Sequence, residues 1–195
     1  MTHLTRTLLI GAGISQLLAA GSYAEPVSDG DGTATLPDSS VYVGRFENGL
    51  FNGPGVMTRR DGTTYNGDFS DGLMHGQGSI SNRMYTYSGS FENGLPHGKG
   101  VLTYRNGDRY TGDFKDGTFS GQGEIRRRNG DRYVGEFHDG LFHGTGRLIY
   151  GSGDVFEGAF KDGAFHGKGT IIYQTGQRLQ GRWHYGTFLG VARDP

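Results

Sequence analysis

"YTGDFKDGTFSGQG" at residues 110–123 is followed by "YVGEFHDGLFHGTG" at 133–146 and by "FEGAFKDGAFHGKG" at 156–169. One phrase returns every 23 residues, and a fixed period of that length precedes every other argument about fold. Working outward, the repeats start at Tyr42, Tyr65, Tyr87, Tyr110, Tyr133 and Phe156, with a degenerate seventh at Leu179. The steps are 23, 22, 23, 23, 23 and 23. The short step comes from "SISNRMYT" in the second repeat, which lacks the glycine that stands at Gly62, Gly107, Gly130, Gly153 and Gly176.

Stacked copies give fixed columns. Two residues after each start stands a glycine, from Gly44 to Gly181, and two further an aromatic, from Phe46 to Trp183. An Asn-Gly or Asp-Gly pair follows, as at Asn48-Gly49 and Asp116-Gly117, then G-x-G, then an aliphatic such as Leu102 or Ile125. Side chains alternate across a strand with period two, so Tyr, Gly and Phe at alternate positions share one face. Asn-Gly and Asp-Gly supply the positive φ of tight hairpin turns. Each unit therefore reads as a β-hairpin, and "RNGD" or "RRDG" at its end is a second turn. Successive hairpins pair into an all-β, elongated, twisted, single-layer antiparallel sheet, in which the glycine columns let rings lie over backbone.

The phrase resembles the MORN repeat (membrane occupation and recognition nexus), roughly Y-x-G-x-[FW]-x-x-G-x-x-x-G-x-G, across residues 42–190. The resemblance implies an array of stacked hairpins with roles in scaffolding, self-association and binding at membrane surfaces. "LQGRWHYGTFLGVARDP" departs from it, with Leu179 for Tyr and Ala192 for the second glycine. Terminal repeats are commonly atypical because they cap an array. The expected array thus covers 42–195.

The first 24 residues are a different text. "MTHLTR" carries one Arg and no acid, an apolar stretch follows, and Ser22 and Ala24 stand at the −3 and −1 positions of a small-residue cleavage site. This is the layout of a secretory signal peptide over 1–24. The apolar run is shorter than the ~20 residues a spanning helix needs. The expectation is an exported protein of a bacterial periplasm or envelope, or a secreted one. Residues 25–41, with "EPVSDGDGTATLPDSS", read as a flexible linker. "DGDG" at 29–32 brushes a calcium loop, but Ser40 stands where that loop needs Glu.

Composition narrows the chemistry. Glycine supplies 38 of 195 residues and aromatics 12%, which suits short strands and tight turns. A net charge of −1 argues against nucleic acid as a partner. Absence of cysteine removes disulfides, thiolate nucleophiles and Cys-based zinc sites. His75, His97, His143 and His166 share a column, but equivalent residues two strands apart sit ~10 Å from one another. A shared zinc would need ligands ~2.0–2.1 Å from the ion. Asp113 and Glu136 also share a column, one that alternates away from the aromatic face and holds Arg45, Ser90, Ala159 and Arg182 in other copies. No P-loop and no Rossmann fingerprint is present. No catalytic, cofactor-binding or metal-binding residue is assigned.

The arginines are more suggestive. Arg60, Arg83, Arg105 and Arg128 fill one column at the turn linking repeats, flanked by Arg109, Arg132 and Arg178. Asp61, Asp108 and Asp131 lie nearby and oppose them. The column reads either as an anion- or lipid-binding edge or as a solvated turn with weak local ion pairs. The expected function is a non-enzymatic scaffold binding a protein partner or an anionic membrane or envelope surface, with self-association as a further expectation. The alternative is carbohydrate or peptidoglycan binding through an aromatic groove, and an enzyme stands third.

Overall fold

The computed structural model describes residues 28–191; the signal-peptide reading of 1–24 lies outside them. The strands are β1 (Gly30–Thr35), β2 (Val41–Glu47), β3 (Leu50–Thr58), β4 (Thr64–Ser70), β5 (Leu73–Ser81), β6 (Tyr85–Glu92), β7 (Leu95–Tyr104) and β8 (Arg109–Lys115). There follow β9 (Thr118–Arg126), β10 (Arg132–His138), β11 (Leu141–Ile149), β12 (Val155–Lys161), β13 (Ala164–Ile172), β14 (Arg178–His184) and β15 (Thr187–Gly190). They form one open sheet whose strand order is the chain order. The described residues fall into two compact units, one holding β1–β7 with Phe114–Gly117, the other Asn106–Asp113 with β9–β15.

Each of the six full repeats is a short strand, a two-residue turn and a longer strand. In the first repeat β2 has seven residues and β3 nine. Asn48 and Gly49 join them with φ of 52° and 73°, the positive pair that a right-twisted hairpin demands. Tyr185 and Gly186 make the equivalent turn of the last repeat, at 44° and 83°, without Asn or Asp.

The two extra residues of the longer strand are absorbed in a bulge. Gly44 faces Gly55 and Phe46 faces Phe51, so Arg45 spans residues 52–54. Gly53 takes φ 70° there, which makes the first glycine of G-x-G a backbone requirement. Carboxylates opposite the bulge close over it. The Gln122 N–H donates to Asp113 Oδ2 (3.1 Å) and the Thr145 N–H to Glu136 Oε1 (2.8 Å). The Thr145 N–H, and after it the Thr145 hydroxyl, both donating to Glu136, hold the Glu136 carboxyl below its ordinary range.

The core is the aromatic face. Tyr42, Tyr110 and Tyr133 are fully buried, each lying flat over a cross-strand glycine pair. Their hydroxyls donate to the Arg45, Asp113 and Glu136 carbonyls at 2.9, 2.8 and 2.9 Å, which explains Tyr over Phe in that column. Burial pushes the Tyr110 and Tyr133 hydroxyls far above the usual phenol range. A second apolar column, which the columns read from sequence omitted, follows the turn: Phe51, Met74, Pro96, Phe119 and Phe142 are all buried or nearly so. Phe119 stacks on Tyr110 at 3.7 Å and Phe142 on Tyr133 at 3.8 Å. Phenylalanines of neighbouring strands meet these rings edge-on, as Phe137 meets Tyr110 at 5.1 Å. Most rings of the aromatic columns are thus engaged in packing, as Tyr42, Phe46 and Phe51 are, each no more than 1% exposed.

One boundary shifts. Residues 30–35, read as linker, form β1 and pair with β2 in continuous antiparallel register from Gly30↔Phe46 to Thr35↔Val41. The segment alternates, and Ala34, opposite Tyr42, is buried. Its composition hides this because the edge strand buries one small side chain and exposes the rest.

Candidate anion-binding edge

The turns linking one hairpin to the next form a second edge of each unit. Most have five residues. The Arg59 N–H donates to the Thr63 carbonyl at 2.8 Å and the Gly62 N–H to the Arg59 carbonyl at 2.9 Å, with Gly62 at φ 84°. The turns at 127–131, 150–154 and 173–177 repeat this bonding.

The second repeat differs. The Asn82 N–H donates to the Tyr85 carbonyl at 3.0 Å, which leaves Arg83 and Met84 as a two-residue loop. Asn82 Oδ1 accepts from the Met84 and Tyr85 N–H groups at 2.8 and 2.9 Å, doing with a side chain what glycine does elsewhere. This is the origin of the 22-residue step.

Arg60, Arg83 and Arg105 are exposed and line one depression of about 330 Å3 with Asp61, Gly62, Ser81 and Asn82. Arg105 Nη2 donates to the Asn82 carbonyl at 3.2 Å, and the Arg105 N–H donates to the Met84 carbonyl at 2.9 Å. Asp61 accepts from the Thr63 N–H at 2.8 Å, and that bond holds its carboxyl below the usual range. Arg128, the fourth member of the column, belongs to the other unit, where its N–H donates to Asp108 Oδ1 at 2.8 Å. Arg132 and Arg126 both pair with Glu124, and their hydrogen bonds, that from Arg132 first, hold its carboxyl below the ordinary range.

The histidine column is dispersed among carboxylates. His97 lies 3.3 Å from Glu92 and 3.7 Å from Asp116, and His143 lies 3.8 Å from Asp162. Among the described residues, no group of three or more His, Asp or Glu is arranged to hold a metal ion. Asp113 and Glu136 are occupied by the bulge backbone. Two residues that shape the edge, Thr63 and Asn82, were passed over in the sequence. Thr63 sits in the column of Asp108, Asp131 and Asp154, and Asn82 precedes the short loop; column alignment is the signal that would have found both.

A sheet of stacked hairpins with recurring positive-φ turns and recurring aromatic columns defines a β-hairpin repeat protein. The MORN repeat model matches residues 42–64, 65–81, 87–109, 110–132, 133–155 and 156–178, with starts at the six positions given by the sequence columns. The chain belongs to the MORN repeat family. MORN repeats are generally non-enzymatic scaffolds. No curated protein matches the sequence. Among solved structures, the chain is similar to the TCP domain of SAS-4 from Drosophila melanogaster, in complex with a proline-rich motif of Ana2. That match has 13% identity and a TM-score of 0.45, covering 85% of this chain and 96% of that one. A catalytically inactive virginiamycin B lyase from Staphylococcus aureus, with quinupristin, matches at 10% identity and a TM-score of 0.20, covering 80% of this chain and 70% of that one.

Proposed function

We propose that this chain is a non-catalytic scaffold that docks on an anionic membrane or envelope surface through the arginines of its turn edge. The observation that carries this reading is the gathering of exposed Arg60, Arg83 and Arg105 around one depression. Each basic residue near an anionic membrane contributes about 1 kcal/mol, and the attraction decays within a Debye length. The net charge of −1 does not oppose this, because a local edge sets the local field.

Vesicle co-sedimentation tests it. The protein sediments with anionic vesicles, less so as salt rises, and not with neutral vesicles. Changing Arg60, Arg83, Arg105 and Arg128 together to Ser abolishes sedimentation. Equal binding by the quadruple variant, or indifference of the wild type to lipid charge, refutes the reading. A protein partner is the second reading, favoured by Val43 and Val56. They face each other across β2 and β3 and are 52% and 38% exposed. The scaffold reading includes export, so N-terminal sequencing of the native protein starts at Glu25.

A further inference from the structure

Between the later turns of the chain, from 105–108 onward, a carboxylate fills the gap. Asp108 Oδ1 accepts from the Arg128 N–H at 2.8 Å, Asp131 Oδ1 from the Gly151 N–H at 2.9 Å, and Asp154 Oδ1 from the Gln174 N–H at 2.8 Å. Each aspartate closes its turn and reaches the next one. The first turn cannot do this, because Thr63 stands where those aspartates stand. The loop it would reach is one residue short, and Asn82 folds back on its own backbone. What replaces the bridging carboxylate is the depression lined by Arg60, Arg83 and Arg105, to which Asp61 alone contributes a carboxylate among the described residues.

We infer that this notch binds one compact, multiply charged oxyanion of the phosphate class, which takes the place of the missing carboxylate. The proposal rests on the reading that the turn edge binds anions, and narrows it to one recess in one unit. Three guanidinium groups present forked donors that match the oxygens of a phosphate better than point charges do. Arg105 is already held by the Asn82 carbonyl at 3.2 Å, so part of the ordering that binding requires is complete beforehand. Asp61 is tied to Thr63, which fixes its negative charge on its own turn. A monovalent anion gains less from three arginines than a divalent one, so charge density sets the selectivity.

Isothermal titration of the full chain with inorganic pyrophosphate tests this. The wild type binds at one site, more weakly as salt rises. Arg83→Ser lowers affinity at least tenfold. Thr63→Asp, which restores the carboxylate column, does the same while the melting curve stays unchanged. Arg182→Ser, at an exposed position of the other unit, binds as wild type does. A lipid headgroup and a free phosphate compound share this chemistry. Vesicles bearing phosphatidic acid that displace pyrophosphate assign the notch to a headgroup; failure to displace assigns it to a soluble anion. Wild-type protein that ignores pyrophosphate yet sediments with anionic vesicles overturns the notch and leaves the edge reading standing. Protein that does neither overturns both. Pyrophosphate affinity unchanged in Arg83→Ser and Thr63→Asp also overturns the notch.

Discussion

Gly123→Ala is the most economical test of how this sheet holds together. Gly123 lies beneath the Tyr110 ring, and a Cβ there would meet Tyr110 Oη at 2.5 Å, Cε2 at 2.7 Å and Cζ at 2.8 Å. The ring has nowhere to go. It stacks on Phe119 at 3.7 Å, meets Phe137 edge-on at 5.1 Å and bonds the Asp113 carbonyl at 2.8 Å. Keeping it in place means overpacking, which costs about 1–3 kcal/mol. Expelling it forfeits most of a buried aromatic, about 3–5 kcal/mol. The expected destabilisation is roughly 3 kcal/mol, where the two alternatives meet. At about 2–4 °C per kcal/mol for a chain of this size, the melting temperature falls by ~6–12 °C. Tyr110→Phe does not rescue the variant, because Cε2 and Cζ remain in the way. Gly176→Ala is the control: nothing lies within 4 Å of its Cβ, and its φ of +86° brings only left-handed strain of about 1–2 kcal/mol. Thermal unfolding followed by near-ultraviolet circular dichroism reads the loss of ring packing directly. A Gly123→Ala protein that melts with wild type, or that loses less than Gly176→Ala, refutes the account of the glycine columns.

Two further perturbations follow from the same geometry. Phe119→Ala removes the ring stacked on Tyr110 and costs about 3–5 kcal/mol by urea unfolding, whereas an exposed position such as Thr111→Ala shifts stability by no more than about 0.5 kcal/mol. Glu136→Gln lowers the melting temperature at pH 7. The folded carboxyl titrates below the ordinary 4.5, so its contribution is complete above that value and is lost as pH falls through the lower one. The gap between variant and wild type therefore closes in acid, and a gap that does not change with pH shows that the bulge does not depend on the charge.

The hairpins were legible because their signals are local. Tyr42, Gly44 and Phe46 alternate onto one face, and Asn48-Gly49 supplies both positive φ values, so five or six residues determine each turn and its face. The stacking column was harder to read because its chemistry varies: Phe51, Met74, Pro96 and Phe119 share a place in space, not a residue type. An apolar position that tolerates proline does not stand out in an alignment of copies. The bulge escaped for a related reason. The first glycine of G-x-G looks like the second, yet Gly53 takes φ 70° while Gly55 lies under a ring. The two are conserved in spacing for different physical causes, one backbone torsion and one close approach.

The edge shows where reading by columns both succeeds and falls short. Arginine recurs at Arg60, Arg105 and Arg128, and the column suggests equivalent sites. Their surroundings are not equivalent. Beside Arg128 the Asp108 carboxylate already occupies the gap between turns, bound to backbone at 2.8 Å. Beside Arg60 there is Thr63, and the following loop has lost a residue. Regular repeats satisfy their own turns, so an irregular one is where unspent charge collects. A single deletion and a single Asp-to-Thr difference between copies thus turn a self-neutralised edge into a basic recess, without any change to the aromatic columns that hold the sheet. Shape resides in what the repeats share, and the proposed anion binding resides in where the first and second repeats depart from them.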